Sequence, residues 1–142
     1  MPIHRAPPGF RRTVRHEHML RRFSRDFGLL LELDHVVVAD PTTICWIVEE
    51  TSADLRLPPP ELRVRANRAV HTGLYEPGSP GRLRIGAVTT AGVIAHELGH
   101  HLVAHAAPPS TPGHGKVWVA AYDRAAERVA GRPEIAPHLR RP

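Results

Sequence analysis

Apolar side chains recur at helical spacing in four segments of the chain. This spacing predicts helices over residues 13–33, 41–53, 91–107 and 116–130. The inward positions expected for the first two helices are Val14, Leu20, Phe23, Phe27, Leu30 or Leu31, Ile44, Ile47 and Val48. Each helix is therefore expected to present one apolar face to a core.

Capping residues and prolines mark the ends of two of these helices. Asp40-Pro41 is typical of an N-cap followed by a first-turn proline, since the N–H that proline lacks would have no helical partner there. Thr89-Thr90 supplies an N-cap for the helix over 91–107. Pro108-Pro109 ends that helix because proline lacks a backbone donor.

Period-two alternation predicts strands over residues 62–70, 74–75 and 82–87. The last segment has the clearest pattern, in which apolar residues alternate with others: Leu83, Ile85 and Ala87 with Arg82, Arg84 and Gly86. Strands and helices together predict an α+β fold. We expect the helix over 91–107 to pack on a mixed or antiparallel sheet of about three strands.

The chain of 142 residues is long enough for one domain with a single core. Residues 1–12 carry three prolines and a glycine, and we expect a flexible basic arm there, ahead of one domain over 13–142. No apolar run approaches the roughly 18 residues of a membrane span, and no apolar segment follows the N-terminal arginines as a secretory signal requires. A single cysteine fits a reducing compartment, so we expect a cytoplasmic protein.

Residues 96–100 spell His96-Glu97-Leu98-Gly99-His100 within the third predicted helix. Residues four apart on a helix lie on nearly the same face, so both imidazoles can converge on one metal ion. Glu97 lies one position along, within reach of a water at that metal. Zinc hydrolases need this arrangement, because neutral imidazoles hold Zn²⁺ while a carboxylate takes the proton of the water that attacks a carbonyl. A carboxylate in an apolar helix is also costly to bury without such a role.

The third ligand distinguishes the classes of zinc hydrolase. Val103 and Ala106 stand where a metzincin has glycine and histidine, which excludes that class. A glutamate ligand from the next helix would be Glu127, with Asp123 as its aspartate equivalent. His114 is the preferred candidate, because it follows a proline-rich loop and begins the last predicted helix.

The segment Gly113-His114-Gly115-Lys116-Val117-Trp118 extends the pattern. A His-Glu-x-x-His helix, a short loop and then Gly-His-Gly-x-x-aromatic resembles the SprT-like metalloproteases, which include the Spartan DNA-repair proteases, over residues of about 81–122. The resemblance implies a small zincin-like metalloprotease domain, Zn²⁺ held by His96, His100 and His114, and Glu97 as the catalytic carboxylate. Cys45 is the single cysteine, so the Cys-based zinc ribbon of many bacterial relatives cannot form, and the resemblance does not extend to DNA-dependent activity.

Three further residues are weaker candidates for contacts with a substrate. In zincins the strand before the motif helix often forms the edge of the cleft, where an extended peptide adds as another strand. Gly86 on that predicted strand would permit close approach of the peptide. Arg84 and Tyr122 are candidates for contact with the oxyanion. An ordinary sheet strand remains the alternative interpretation of the segment around Gly86.

Positive charge is concentrated at the N-terminus. Residues 1–25 carry seven arginines and one glutamate, whereas the whole chain has a formal net charge of +5. A solvated helix face is the commoner explanation of such a run. Weak, sequence-independent DNA binding is the alternative, through Arg11, Arg12, Arg15, Arg21 and Arg22. His16 and His18 fall on different faces of the predicted helix, so we expect an exposed pair that holds no metal.

These motifs favour a zinc metallopeptidase that hydrolyses an intracellular protein or peptide substrate and has no membrane partner. A regulatory protease resembling the repressor-cleaving ImmA/IrrE group is an alternative, in which Glu127 would be the third ligand. A nucleic-acid-binding protein with a non-catalytic zinc site is a further alternative, although a closed structural site has no need of Glu97.

Overall fold

The computed structural model describes residues 2–8, 12–66, 69–70, 72–107 and 113–140. Within these ranges the chain has an α+β architecture of five α-helices and two three-stranded sheets. The expected α+β class is therefore confirmed. None of these described helices is long and apolar enough to cross a membrane.

The first predicted helix is two helices in the structure: α1 spans Val14–Phe23 and α2 spans Phe27–Asp34. Ser24 is extended between them, and its hydroxyl donates to Asp123 at 2.6 Å. The backbone N–H of Arg25 donates to the same carboxylate at 2.8 Å, and Asp26 then caps α2. The prediction of one continuous helix was wrong, because these bonds to side chains replace helical ones.

The other three predicted helices are confirmed: α3 spans Pro41–Asp54, α4 spans Ala91–Ala106 and α5 spans Lys116–Ala130. Asp40 caps α3 and Thr90 caps α4, each accepting from a backbone N–H three residues later. A short 3-10 helix follows at Ala136–His138. The capping signals in the sequence therefore mark the starts of α3 and α4 correctly.

Most of the expected inward positions are buried. Five of them lie in the core and two more pack against it: Leu20, Leu30, Ile44, Ile47 and Val48, then Phe23 and Phe27. Val14 is 86% exposed, so its expected inward position was wrong. Val14 lies in the first turn of α1, where Thr13 and His16 line a cavity instead.

The first sheet joins the N-terminus to the start of α4. It has the order β1 (Ile3–Arg5), β2 (Val36–Val38) and β6 (Thr89–Thr90), and both pairs are antiparallel. Ile3 is buried, and Arg5 forms an ion pair with Glu32 at 3.0 Å. The prediction of a flexible arm was wrong for these residues, because β2 supplies their backbone hydrogen-bond partners. Residues 1 and 9–11 of that expected arm lie outside the described residues.

The second sheet has the order β3 (Glu61–Arg65), β5 (Arg82–Gly86) and β4 (Gly73–Glu76). β3 runs parallel to β5, whereas β4 runs antiparallel to it. This sheet matches the expected mixed sheet of three strands, while the other sheet was not predicted. β5 has a partner on each side, so β4 lies at an edge of the sheet.

Helices α4 and α5 cross in close contact. A Cβ placed on Gly99 of α4 would stand 3.0 Å from the Cα of Tyr122 in α5. Trp118 and Tyr122 are both buried among core residues of the two helices. Because the helices meet through backbone at Gly99, the start of α5 is held beside residues 96–100 of α4.

Candidate metal centre

Helix α4 and the residues just before α5 bring three histidines together. His96 and His100 lie one turn apart on α4, with their ring centroids 5.1 Å apart. His114 lies just before α5, and its Nε2 is 3.0 Å from the Nε2 of His100. One ligand atom from each of these histidines lies within 4.8 Å of the other two. Within the described part of the chain, these three residues form the group whose ligand atoms converge.

Burial keeps these imidazoles neutral at neutral pH. Removal from water, followed by repulsion from His114 and His16, lowers the pKa of His100 to about 4. Burial likewise lowers the pKa of His96 well below its ordinary value, with His100 as the next cause. Burial also lowers the pKa of His114. Neutral imidazoles carry the free lone pair that a metal needs, so this donor set fits a Zn²⁺ ion.

The indole of Trp118 is in ring contact with all three histidines. Its ring centroid is 4.8 Å from that of His96, 5.3 Å from that of His100 and 4.7 Å from that of His114. The indole is buried in the first turns of α5. The sequence indicated Trp118 only as the aromatic residue of a motif. In the structure its buried indole packs against the three imidazoles.

Glu97 points into the cavities beside the histidines. Its side chain is buried, and its Oε2 lies 4.0 Å from the Nε2 of His96. A Cβ placed on Gly73 of β4 would stand 2.8 Å from the Glu97 Oε2. The absence of a side chain at Gly73 therefore makes room for the carboxylate between α4 and β4.

The two alternative acidic ligands lie elsewhere. Glu127 pairs with Arg25 at 3.0 Å on the surface of α5. Asp123 is buried and accepts hydrogen bonds from Ser24 and from the backbone of Arg25. The structure thus brings together His96, His100 and His114 but neither carboxylate.

A cleft of about 610 Å³ opens beside the histidines. It is lined by β4 on one side and by the end of α4 on the other, including Leu74, Tyr75, Pro77, Val103 and Ala104. These five residues give the cleft an apolar wall next to the carboxylate of Glu97. We refer to this cavity as the cleft.

The expectation that the strand before the motif helix forms the cleft edge was wrong. That strand is β5, whose two sides pair with β3 and β4, so no edge is available. Gly86 pairs with Arg65, and Arg84 forms an ion pair with Glu76 at 2.7 Å, away from the cleft lining. Edge strand β4 takes the place that the sequence assigned to β5.

Tyr122 lies behind His96 in a second, smaller cavity of about 310 Å³, which we call the rear cavity. Its hydroxyl accepts from Arg12 at 3.2 Å, and Arg12 also pairs with Asp34 at 2.7 Å. Burial, followed by the charge of Asp34, raises the pKa of the Tyr122 hydroxyl. Tyr122 therefore belongs to a buried polar cluster and lies outside the cleft lining.

The same buried polar cluster contradicts the proposed contact of one arginine, Arg12, with DNA. Arg12 is largely buried in its ion pair with Asp34, so it is not presented to a phosphate backbone. Arg21 pairs with Glu17 at 3.3 Å, whereas Arg15 and Arg22 are exposed on α1. Arg11 lies outside the described residues.

His16 was expected on the surface and lies beside the histidine cluster instead. Its ring centroid is 5.1 Å from that of His114 and 5.9 Å from that of His96. Burial, followed by the charges of His114 and Arg12, lowers its pKa. The expectation of an exposed residue was wrong for His16, because α1 packs on α5 with His16 facing the histidine cluster. It was confirmed for His18, which is exposed. No local pattern around residue 16 carries that information.

A second set of hydrogen bonds fixes the orientation of His101, which follows His100 on α4. Its Nε2 lies 2.7 Å from the carbonyl oxygen of Pro58, which can only accept, so Nε2 carries the proton. Its Nδ1 therefore accepts from the Tyr75 hydroxyl at 2.7 Å. These hydrogen bonds connect β4 to α4 beside the cleft, and they occupy both ring nitrogens of His101, so neither is free to bind a metal.

Comparison of the chain with models of protein families, with curated proteins and with solved structures gave no match.

Proposed function

We propose that this protein is a zinc metallopeptidase with a zincin-like fold, similar to the SprT-like proteases. The observation that carries the proposal is the convergence of His96, His100 and His114 within 4.8 Å, with Glu97 directly beside them at the cleft. The close contact of α4 with α5 at Gly99 and the ring contacts of Trp118 with all three imidazoles support this convergence. A structural site built from the same histidines would not need a buried carboxylate facing a cleft.

Glu97 is the general base and acid of the proposed reaction. Its carboxylate accepts the proton of a water as the water oxygen bonds to the scissile carbonyl carbon. It then passes that proton to the leaving amine nitrogen as the carbon–nitrogen bond breaks. Zn²⁺, when held by the three imidazoles, would supply a Lewis acid that polarises the carbonyl and lowers the pKa of water.

The cleft supports an extended peptide as the substrate. Edge strand β4 offers backbone groups to a peptide that lies along it, in the manner of strand addition. The apolar wall, which includes Leu74, Tyr75 and Val103, would accept an apolar side chain near the scissile bond. We infer an intracellular, cytoplasmic protein substrate, since the single cysteine fits a reducing compartment.

The decisive experiment combines zinc content with peptide hydrolysis. The purified protein should hold about one equivalent of zinc and cleave unfolded protein substrates. Glu97→Gln should keep the zinc and the melting temperature while hydrolysis falls by at least about 100-fold. Full hydrolysis by that variant would exclude the proposed mechanism. Zinc binding without any hydrolysis would favour the non-catalytic site.

A further inference from the structure

We propose that His16 is an additional catalytic residue, whose Nε2–H donates a hydrogen bond to the carbonyl oxygen of the scissile peptide as that oxygen becomes negatively charged. This inference rests on the proposed peptidase function. It assigns a task to a side chain that contributes neither to the ligand group nor to the fold's capping and ion pairs.

The position of His16 is set by the first turn of α1. Thr13 caps that turn by accepting from the backbone N–H of His16 at 3.2 Å. The imidazole then lies 5.1 Å from the ring of His114 and 5.1 Å from the ring of Trp118. His16 therefore stands at the metal centre on a helix separate from the one that carries Glu97.

The Nε2 atom of His16 has no hydrogen-bond partner among the described residues, although it is inaccessible to solvent. Buried polar atoms in native proteins nearly always have a partner, because an unpaired one is costly. Among the described residues, the Nε1 of Trp118 is also buried and unpaired, but of these two side chains only His16 lines the rear cavity together with Glu97. The histidine is thus prepared to bind a polar group that the free protein does not contain.

His16 lies beside the ligand group rather than within it. The ligand atoms that converge within 4.8 Å in the described part of the chain come from His96, His100 and His114. The ring of His16 is 5.1 Å from that of His114 and 5.9 Å from that of His96, but His16 is not a member of this converging group. A second-layer donor fits this position better than a fourth ligand.

Other polar groups of the rear cavity are already committed. Arg12 binds Asp34 and Tyr122, so its guanidinium is held in that cluster. Glu97 and His16 line the same cavity from opposite elements, α4 and α1. A carbonyl that is attacked by a water activated by Glu97 would therefore have a donor from the α1 side.

The chemistry asks for such a donor. When the water oxygen bonds to the carbonyl carbon, the π electrons of the C=O bond move to the carbonyl oxygen, and one proton of the water moves to the Glu97 carboxylate. A fixed N–H that faces this oxygen stabilises the developing charge without transferring its own proton. Loss of one such donor typically lowers kcat by about 100-fold to 1,000-fold.

The test compares His16→Ala and His16→Gln with His18→Ala, an exposed histidine on the same helix. On a fluorogenic peptide that the wild type cleaves, both His16 variants should lose about 100-fold in kcat, with KM changed by less than about threefold. Zinc content and melting temperature should stay at wild-type values. His18→Ala should match the wild type throughout.

A binding measurement gives a second readout that a purely structural role would not move. A phosphonamidate peptide carries a tetrahedral anionic group in place of the scissile bond, and its affinity should fall in proportion to kcat/KM in the His16 variants. Affinity for the uncleaved peptide, measured with Glu97→Gln as the background, should not change.

The outcomes separate this inference from the proposed function. Undiminished kcat in zinc-loaded His16 variants would overturn the role of His16 and leave the peptidase proposal standing. A tenfold or greater loss of zinc affinity would overturn it by making His16 a ligand. A wild-type protein that holds zinc but cleaves no peptide would overturn both proposals.

Discussion

The indole of Trp118 stacks on the imidazole of His100, with ring centroids 5.3 Å apart and ring planes 21° apart. Stacking of this kind fixes the plane of the imidazole and therefore the direction of its lone pair. Outer contacts that orient ligands contribute strongly to metal affinity. Trp118 therefore joins the hydrophobic core to the candidate metal centre.

Replacing Trp118 should damage both stability and metal binding. Trp118→Ala should lower the free energy of unfolding by about 3–5 kcal/mol, because it removes a large buried side chain. Zinc affinity should fall at least about 10-fold, because the imidazoles lose their support. Urea unfolding of the metal-free protein and competition with a zinc chelator measure the two effects.

A matched control for that change is Trp46→Ala. Trp46 is 55% exposed on α3 and lines neither the cleft nor the rear cavity. Its removal should change the free energy of unfolding by only about 0.5 kcal/mol and leave zinc affinity unchanged. Equal effects of the two substitutions would contradict a special role for Trp118.

The identity of the third ligand predicts a contrast between His114 and Glu127. His114→Ala should lose most of the bound zinc, because two imidazoles hold the ion too weakly. Glu127→Ala should keep the zinc, since its carboxylate pairs with Arg25. Metal analysis after dialysis measures both variants. Zinc loss in Glu127→Ala alone would favour the class with a glutamate ligand.

A methyl group at Gly73 should disturb Glu97 without disturbing the metal. In Gly73→Ala the new Cβ would press on the Glu97 carboxylate and on Val93, so the carboxylate must move. A displacement of about 1 Å can cost about 100-fold in rate, and we expect a loss of that order in kcat with zinc content retained.

Gly28→Ala is the control for this substitution. A Cβ at Gly28 of α2 would make only ordinary contact, 3.7 Å from an Asp26 oxygen. Activity should be unchanged, and the protein should be slightly more stable because alanine favours a helix. Full activity in Gly73→Ala would show that Glu97 is not confined by β4.

Acid should destabilise the metal-free protein. The pKa of His100 is about 4 in the folded chain, whereas an unfolded imidazole has a pKa near 6.5. Between these values the unfolded state binds more protons, so the contribution to stability is complete above about pH 6.5 and is lost as the pH falls towards 4. We expect the melting temperature to drop by about 5 °C or more across this window.

Calorimetry of the metal-free protein at several pH values measures the drop. His100→Gln should flatten the dependence, because one of the depressed imidazoles is gone. A melting temperature that is constant between pH 7 and 5 would contradict the neutral state of the cluster.

DNA binding, if α1 supports it, should be weak and steeply dependent on salt. Arg15 and Arg22 are the exposed members of the basic run in the described part of α1 that make no ion pair. Arg15→Gln with Arg22→Gln should reduce the slope of log K against log salt by about 2 on duplex DNA. Arg124→Gln with Arg128→Gln, which removes equal charge from α5, should leave the slope unchanged. No binding at low salt would make the basic run a solvated helix face.

Local patterns in the sequence predicted the parts of the fold that depend on neighbouring residues. Period and caps located α3, α4 and α5, and the spacing of His96 and His100 follows from one helical turn. The break between α1 and α2 depends on Asp123, about a hundred residues away, so no local signal could show it. The position of His16 likewise follows from the packing of α1, which periodicity does not specify.

Strand order shows the same limit for the cleft. The alternation in residues 82–87 predicted β5 correctly as a strand, but alternation does not distinguish a central strand from an edge strand. β5 is a central strand because β4 pairs with its free side in antiparallel orientation. The alternation pattern that would predict β4 is weak, because this strand has only four residues.

An unpaired strand edge also exposes a protein to association with its own copies. β4 is short, and its residues line a cleft whose opposite wall includes α4. The helix that carries the histidines thus limits the room beside this edge for another strand. Substitutions that widen the cleft would be expected to lower solubility as well as to change the peptides that fit.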